Sequence, residues 1–250
     1  MSNYPHLRNA PVAEAVIEIR ARLHKPAGAS EFTAFHEQLK DVYPKARHIR
    51  YIAAELKVDA DPAAMNEVTN SIVGVRLDDS DGKWVVQGKT EGITVSRLPP
   101  YESWDQLVNT LRTLWPVYVD VFRPEAVVRL GVRYINVIPL PEGQTDLDGM
   151  LTAGPRIPPG LPPELSEFMT RLVVPMHDNG IVVTIMQAPG MVATAGGTGK
   201  DGVVLDIDAA CEQSFGPDWS AMWAMLGVLR DAKNKAFFSS LTKPTWEQFL

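Results

Sequence analysis

The stretch Val12–Leu23, VAEAVIEIRARL, decides the fold. Ala13, Ala15, Ile17, Ile19 and Ala21 fall on one side of an extended chain, and Glu14, Glu18, Arg20 and Arg22 on the other. A period of two with one charged face describes a half-buried antiparallel strand, because a helical period would scatter those charges. Next, ASEFTAFHEQLKDVYP (29–44) places Phe32, Phe35, Leu39, Val42 and Tyr43 at helical spacing, with Ser30 as N-cap and Pro44 as stop. Four extended segments follow, at about 47–58, 71–78, 83–90 and 92–98. Their links, Asp78 to Gly82 and Thr90-Glu91-Gly92, carry the Asp and Gly that accept the positive φ of tight turns. A long helix is predicted from Ser103. Ser103 and Gln106 suit a capping box, and Trp104, Leu107, Val108, Leu111, Trp115 and Tyr118 share one face. Pro116 is expected to kink or split this helix.

The second half is read as running the same course. A strand from Ala126 to Leu140 precedes the loop PRIPPGLPP (155–163) and a helix over about Pro163 to Val174. Strands are predicted near 180–188, 190–195 and 202–210. A final helix from Trp219 turns Met222, Trp223, Leu226 and Leu229 inward. The predicted class is therefore α+β. It comprises two pseudo-repeated β-α-β(4)-α lobes, 1–124 and 125–250, with antiparallel sheets curled around long helices as in the TATA-binding protein fold. The repeat is one of pattern more than of sequence. Helices would cover one face of each sheet and leave the other to a partner or ligand.

Composition bounds the function. The 250 residues are 45% apolar and 22% charged, an ordinary globular mixture. A net charge of -6 with no run among the 24 Lys and Arg argues against nucleic-acid binding as the main role. The single cysteine, Cys211, allows no intramolecular disulfide and reads as a packed thiol. MSNYPHLRNAPVAEA lacks an apolar signal core, and no window reaches membrane-span length, so a cytoplasmic protein without membrane attachment is expected.

Ala195–Gly202, AGGTGKDG, imitates a phosphate loop. The G-x-x-x-x-G-K-[ST] pattern needs glycine where Thr194 stands and a hydroxyl where Asp201 stands. GVVLDID follows, a strand where a helix N-terminus is required. The glycines read as a hairpin tip.

Other constellations remain. Asp206 and Asp208 share one strand face, about 7 Å apart, close enough to hold a cation or divide acid and base roles. Arg129, Gly131 and Arg133 share a face of VVRLGVRYIN, with Leu130, Val132, Tyr134 and Asn136 on the other. If the arginines meet the aspartates they form a charge ladder. If not, the bare Gly131 leaves room for an anion between two guanidinium forks. SRLPPYESW sets Arg97, Tyr101 and Trp104 at a strand-to-helix corner, as a recognition surface or as an aromatic anchor. The five histidines, His6, His24, His36, His48 and His177, lack ligand spacing, so no metal or cofactor is expected.

Leu7–Ala15 (LRNAPVAEA), Ser96–Trp104, Arg129–Asn136, Asp206–Asp208 and Phe237–Thr242 (FFSSLT) together resemble a sporadically distributed set of bacterial proteins of about this length with no assigned function. The resemblance implies a stand-alone cytosolic protein and supplies no catalytic residues. The expectation is a non-enzymatic binding protein, accessory, defence-related or antitoxin-like. It would take a protein or small molecule on the open sheet face or in the groove between lobes, and a homodimer is compatible with it. Arg97, Tyr101, Arg129, Arg133, Tyr134, Asn136, Asp206 and Asp208 are the candidate binding residues. The alternative is a metal-dependent hydrolase using Asp206 and Asp208 with Arg129 and Arg133.

Overall fold

The computed structural model describes residues 4–54, 68–141, 147–162, 165–177, 179–192 and 200–250. The alternating stretch is strand β1, Val12–Leu23, and it lies near the middle of the sheet. Ala15, Ile17 and Ile19 are fully buried, while Glu14, Val16, Glu18 and Arg20 face the other way. After helix α1 (Ala29–Leu39) come β2 (Lys45–Ala54), β3 (Val68–Asp78), β4 (Trp84–Lys89) and β5 (Gly92–Arg97). Helix α2 (Trp104–Phe122) leads into β6 (Pro124–Pro139). Strands β7 (Thr170–Pro175), β8 (Ile181–Val192) and β9 (Lys200–Cys211) precede α3 (Ser220–Ser240) and α4 (Lys243–Glu247). Among the described residues all pairings are antiparallel, and nine strands form one open sheet in the order β2-β3-β4-β5-β1-β6-β9-β8-β7.

Helix α2 follows its sequence pattern. Ser103 caps it by accepting from the Gln106 amide at 3.2 Å, and every residue of the predicted apolar face is buried. Pro116 does not split it. The helix runs unbroken through the proline because Pro116 and Arg112 lie on the solvent side, where water can satisfy the freed carbonyl, while Leu114, Trp115 and Tyr118 stay buried. Helix α1 begins earlier than Ser30. Gly28 is the N-cap, and Glu31 reaches back to accept its amide at 2.8 Å.

The β5 start shows how sequence sets register. Gly92 has φ 142°, and a Cβ there would lie 1.9 Å from the Ile19 carbonyl oxygen. Only glycine lets β5 close on β1 at this point. In the second half the expected helix over 163–174 is absent where it is described. Residues 165–169 are irregular and 170–175 form β7, because Val173, Val174 and Pro175 favour extended backbone. Residues 163 and 164 lie outside the described residues, as do 55–58 of the second expected strand. The strands expected at 180–188 and 190–195 are one strand up to Val192; Pro189 is accommodated because β7 pairs no further than Gln187. Residues 195–199 of the glycine-rich stretch lie outside the described residues, while Lys200, Asp201 and Gly202 open β9, a strand rather than a helix.

Helices α1, α2 and α3 pack on the face that carries Ile17, Ile19, Leu130 and Val132. Helices α2 and α3 run antiparallel and are bridged by long side chains. Trp115 meets Trp219 edge-on at 5.2 Å, Arg112 lies over Trp223 at 5.5 Å, and Arg230 lies over Trp104 at 5.6 Å. Cys211 is buried among core residues, where burial pushes its thiol pKa up. Among the described residues no helix is long and apolar enough to cross a membrane.

Candidate functional site

The open face of the sheet gathers the charges that alternation placed there. Arg129 donates to Asp208 at 3.0 Å and also to Glu18 on β1. Arg133 grips Asp206 with two bonds, at 2.9 and 2.5 Å. Each arginine reaches diagonally, since Arg133 stands opposite Asp208 in the register while its guanidinium meets Asp206. The space that Gly131 leaves is filled from within: a Cβ there would lie 2.8 Å from an Arg129 nitrogen. Burial pushes the Asp208 carboxyl pKa up against the pull of Arg129 and Arg133. Of the two readings left open by the sequence, the arrangement is a charge ladder, with the guanidinium forks spent on neighbouring strands. Among the described residues no three His, Cys, Asp or Glu side chains come together as a metal cluster.

Arg97 sits apart, at the end of β5. It is 4% exposed, lies 5.1 Å from the Trp84 ring centre and donates to Glu102 at 3.0 Å. Trp104 is buried, so this corner anchors α2 as an aromatic plug.

Tyr101, Tyr134 and Asn136 come together on the other face of the sheet, in a cavity of about 220 Å³. Its floor is β6, its walls are the start of α2 and the second half of α3, and its roof is the segment Tyr4–Pro11. That roof is fastened by Tyr4 stacked on Phe238 at 4.7 Å, by the Asn9 amide on the Phe249 carbonyl, and by the Val137 amide on the Pro11 carbonyl. The Tyr101 and Tyr134 hydroxyls are 2.7 Å apart, and their rings meet edge-on at 5.3 Å. Asn136 donates to the Leu205 and Tyr134 carbonyls, which fixes its amide against the sheet. Burial pushes the Tyr101 pKa up to about 12 and holds Tyr134 well above the ordinary value.

Two residues that the sequence reading passed over complete the cavity. Lys233 is 8% exposed, with its ammonium 3.7 Å from the Tyr134 ring centre and donating to Asn234 at 2.6 Å. Arg230 stands one turn before it on α3. Among the described residues neither cation has a carboxylate within 4 Å. Burial pushes the Lys233 pKa down to about 7; the Arg230 charge acts in the same direction and Asp231 against it. The signal was present in the sequence. Met222, Leu226, Leu229, Lys233 and Phe237 form one buried stripe at helical spacing, and a lysine interrupts it. No protein-family model matches the chain, and no curated protein is significantly similar to it.

Proposed function

We propose that the protein is a non-enzymatic binding protein and that a small-molecule partner enters the groove between α2 and α3. The observation that carries this reading is Lys233, a buried ammonium with no carboxylate within 4 Å among the described residues, opening onto a cavity walled by aromatic rings. A buried charge without a counter-ion costs several kcal/mol, on the order of the penalty for any unpaired ion in an interior. A fold carries that cost where the group meets something outside the chain, and perturbed ionisable groups in concave sites mark such places.

The topology gives the groove a setting. The order β2-β3-β4-β5-β1 on one side of the β1–β6 pairing is matched, one strand short, by β7-β8-β9-β6 on the other. This favours two TBP-like lobes, 1–124 and 125–250, each with a long helix against its sheet, although the second lacks a described counterpart of α1. The groove is then the junction between the lobes. The hydrolase alternative built on Asp206 and Asp208 has weaker support, because each carboxylate already accepts from an arginine. Stoichiometric divalent metal, lost on Asp206→Asn, would revive it.

Native mass spectrometry of the protein isolated from expressing cells tests the reading. A small molecule should travel with the wild type and be lost from Ala10→Phe, which fills the cavity from its roof. A co-purifying protein that survives Ala10→Phe but is lost on Arg133→Glu would refute the groove and move recognition to the open sheet face.

A further inference from the structure

We infer that the ligand of this groove is a small organic anion with a flat apolar body, its negative group held between Lys233 and Arg230. The inference rests on the reading of the groove as a binding site and names what that site selects. The cavity brings together two cations, of which Lys233 donates to the Asn234 side chain and neither has a carboxylate within 4 Å among the described residues. Lys233 and Arg230 bring two positive charges; Asp105 also lines the cavity, and the exposed Asp231 acts on Lys233 less than burial and Arg230 do.

The tyrosine pair adds a third donor. Two hydroxyl groups carry two hydrogens, and the bond between Tyr101 and Tyr134 uses one. The other is left to the accepting hydroxyl, and on Tyr101, which is only part-buried, it is free to turn toward a guest. The Asn136 amide nitrogen is committed to two backbone carbonyls and adds no further donor. One guest would satisfy all three donors together: a carboxylate or a similar oxyanion. The remaining walls, Tyr101, Trp104, Tyr134 and Phe237, present ring surfaces that suit a planar body.

Anion binding here is coupled to protons. Lys233 is faced by Tyr134 from β6, Tyr101 and Asp105 from the start of α2, His6 from the roof, and Arg230 and Asp231 from its own helix. With its pKa pushed down to about 7, the free protein releases the proton as pH rises from 6 to 8, and a bound anion must recover it.

Calorimetric titration of the full chain with benzoate and with its neutral analogue benzamide tests this. Benzoate should bind one to one and weaken about tenfold between pH 6 and pH 8, following the charged fraction of Lys233. Benzamide should bind more weakly and show no such slope. Lys233→Met, checked for folding by its melting curve, should abolish both the slope and the preference for benzoate. Arg230→Gln should weaken benzoate and, by removing a charge that pushes the Lys233 pKa down, move the slope to higher pH, while His6→Gln should leave the slope intact. Equal affinity for the two probes, or a slope that survives Lys233→Met, would overturn the anion while leaving the groove as a binding site. If neither probe binds at millimolar concentration the anion falls too, and the groove reading is decided separately by the Ala10→Phe co-purification.

Discussion

Replacing Lys233 with methionine should make the protein more stable at pH 6. The folded chain holds the Lys233 pKa at about 7, against 10.5 for an ordinary lysine, because its ammonium is buried. That displacement corresponds to a ceiling of about 5 kcal/mol of unfavourable free energy when the group is charged. Methionine has a similar apolar length and fits the same stripe without a charge. It forfeits the contact on the Tyr134 ring and the bond to Asn234, each worth about 1 kcal/mol. A net gain of at most about 3 kcal/mol at pH 6 remains. Between pH 7 and 10.5 the unfolded chain retains a proton that the folded chain has released, so wild-type stability rises with pH across this window. The advantage of Lys233→Met should therefore shrink and vanish by about pH 10. Urea unfolding followed by tryptophan fluorescence, with both proteins at pH 6 and pH 10, measures the difference and cancels every other titrating group. A variant less stable at pH 6, or a difference unchanged by pH, would refute the argument that Lys233 is a charge held at a cost.

Gly92→Ala should cost at least about 3 kcal/mol, or leave no soluble protein, since the new Cβ meets the Ile19 carbonyl and φ is 142°; chemical denaturation reports it. Tyr101→Phe should cost about 1–2 kcal/mol by stranding the Tyr134 hydroxyl, and adding Tyr134→Phe should cost less than its single effect, a coupling that a double-mutant cycle reads. The Arg133–Asp206 pair should couple by about 1 kcal/mol and weaken with added salt, because Arg133 is half-exposed while Asp206 is nearly buried.

Periodicity and turn chemistry are the parts of this fold that sequence makes legible. Val12–Leu23 announces a central strand because its period of two puts Ile17 and Ile19 on one side and Glu18 and Arg20 on the other. The two β-turn links near Gly82 and Gly92 are equally plain, since each needs φ above zero. Short apolar runs are harder. Thr170–Pro175 could end a helix or make an edge strand by composition, and only the sheet beside it decides. Charge pairing lies further out of reach, because Arg133 and Asp206 are 73 positions apart and meet on a diagonal that no spacing reveals. Of the eight candidate residues, Tyr101, Tyr134 and Asn136 gather at one cavity, Arg129, Arg133, Asp206 and Asp208 on the opposite face, and Arg97 at a corner. Lys233 was visible as a break in an apolar stripe, but such a break gains meaning only when no carboxylate pairs with it.

The pairing of β1 with β6 has a mechanical consequence. Eleven residues of β1, from Val12 to Leu23, have partners on β6, and they join the first half of the chain to the second without a linker between them. Separating the halves would strip water-free Ile17, Ile19, Leu130 and Val132 of their neighbours and create two long unpaired edges at once. Neither half can therefore melt while the other persists, and the chain should unfold in a single cooperative transition. The same seam prevents hinge-like motion at the floor of the groove. A ligand taken up there, as proposed, would rest on a backbone floor tied across the middle of the sheet.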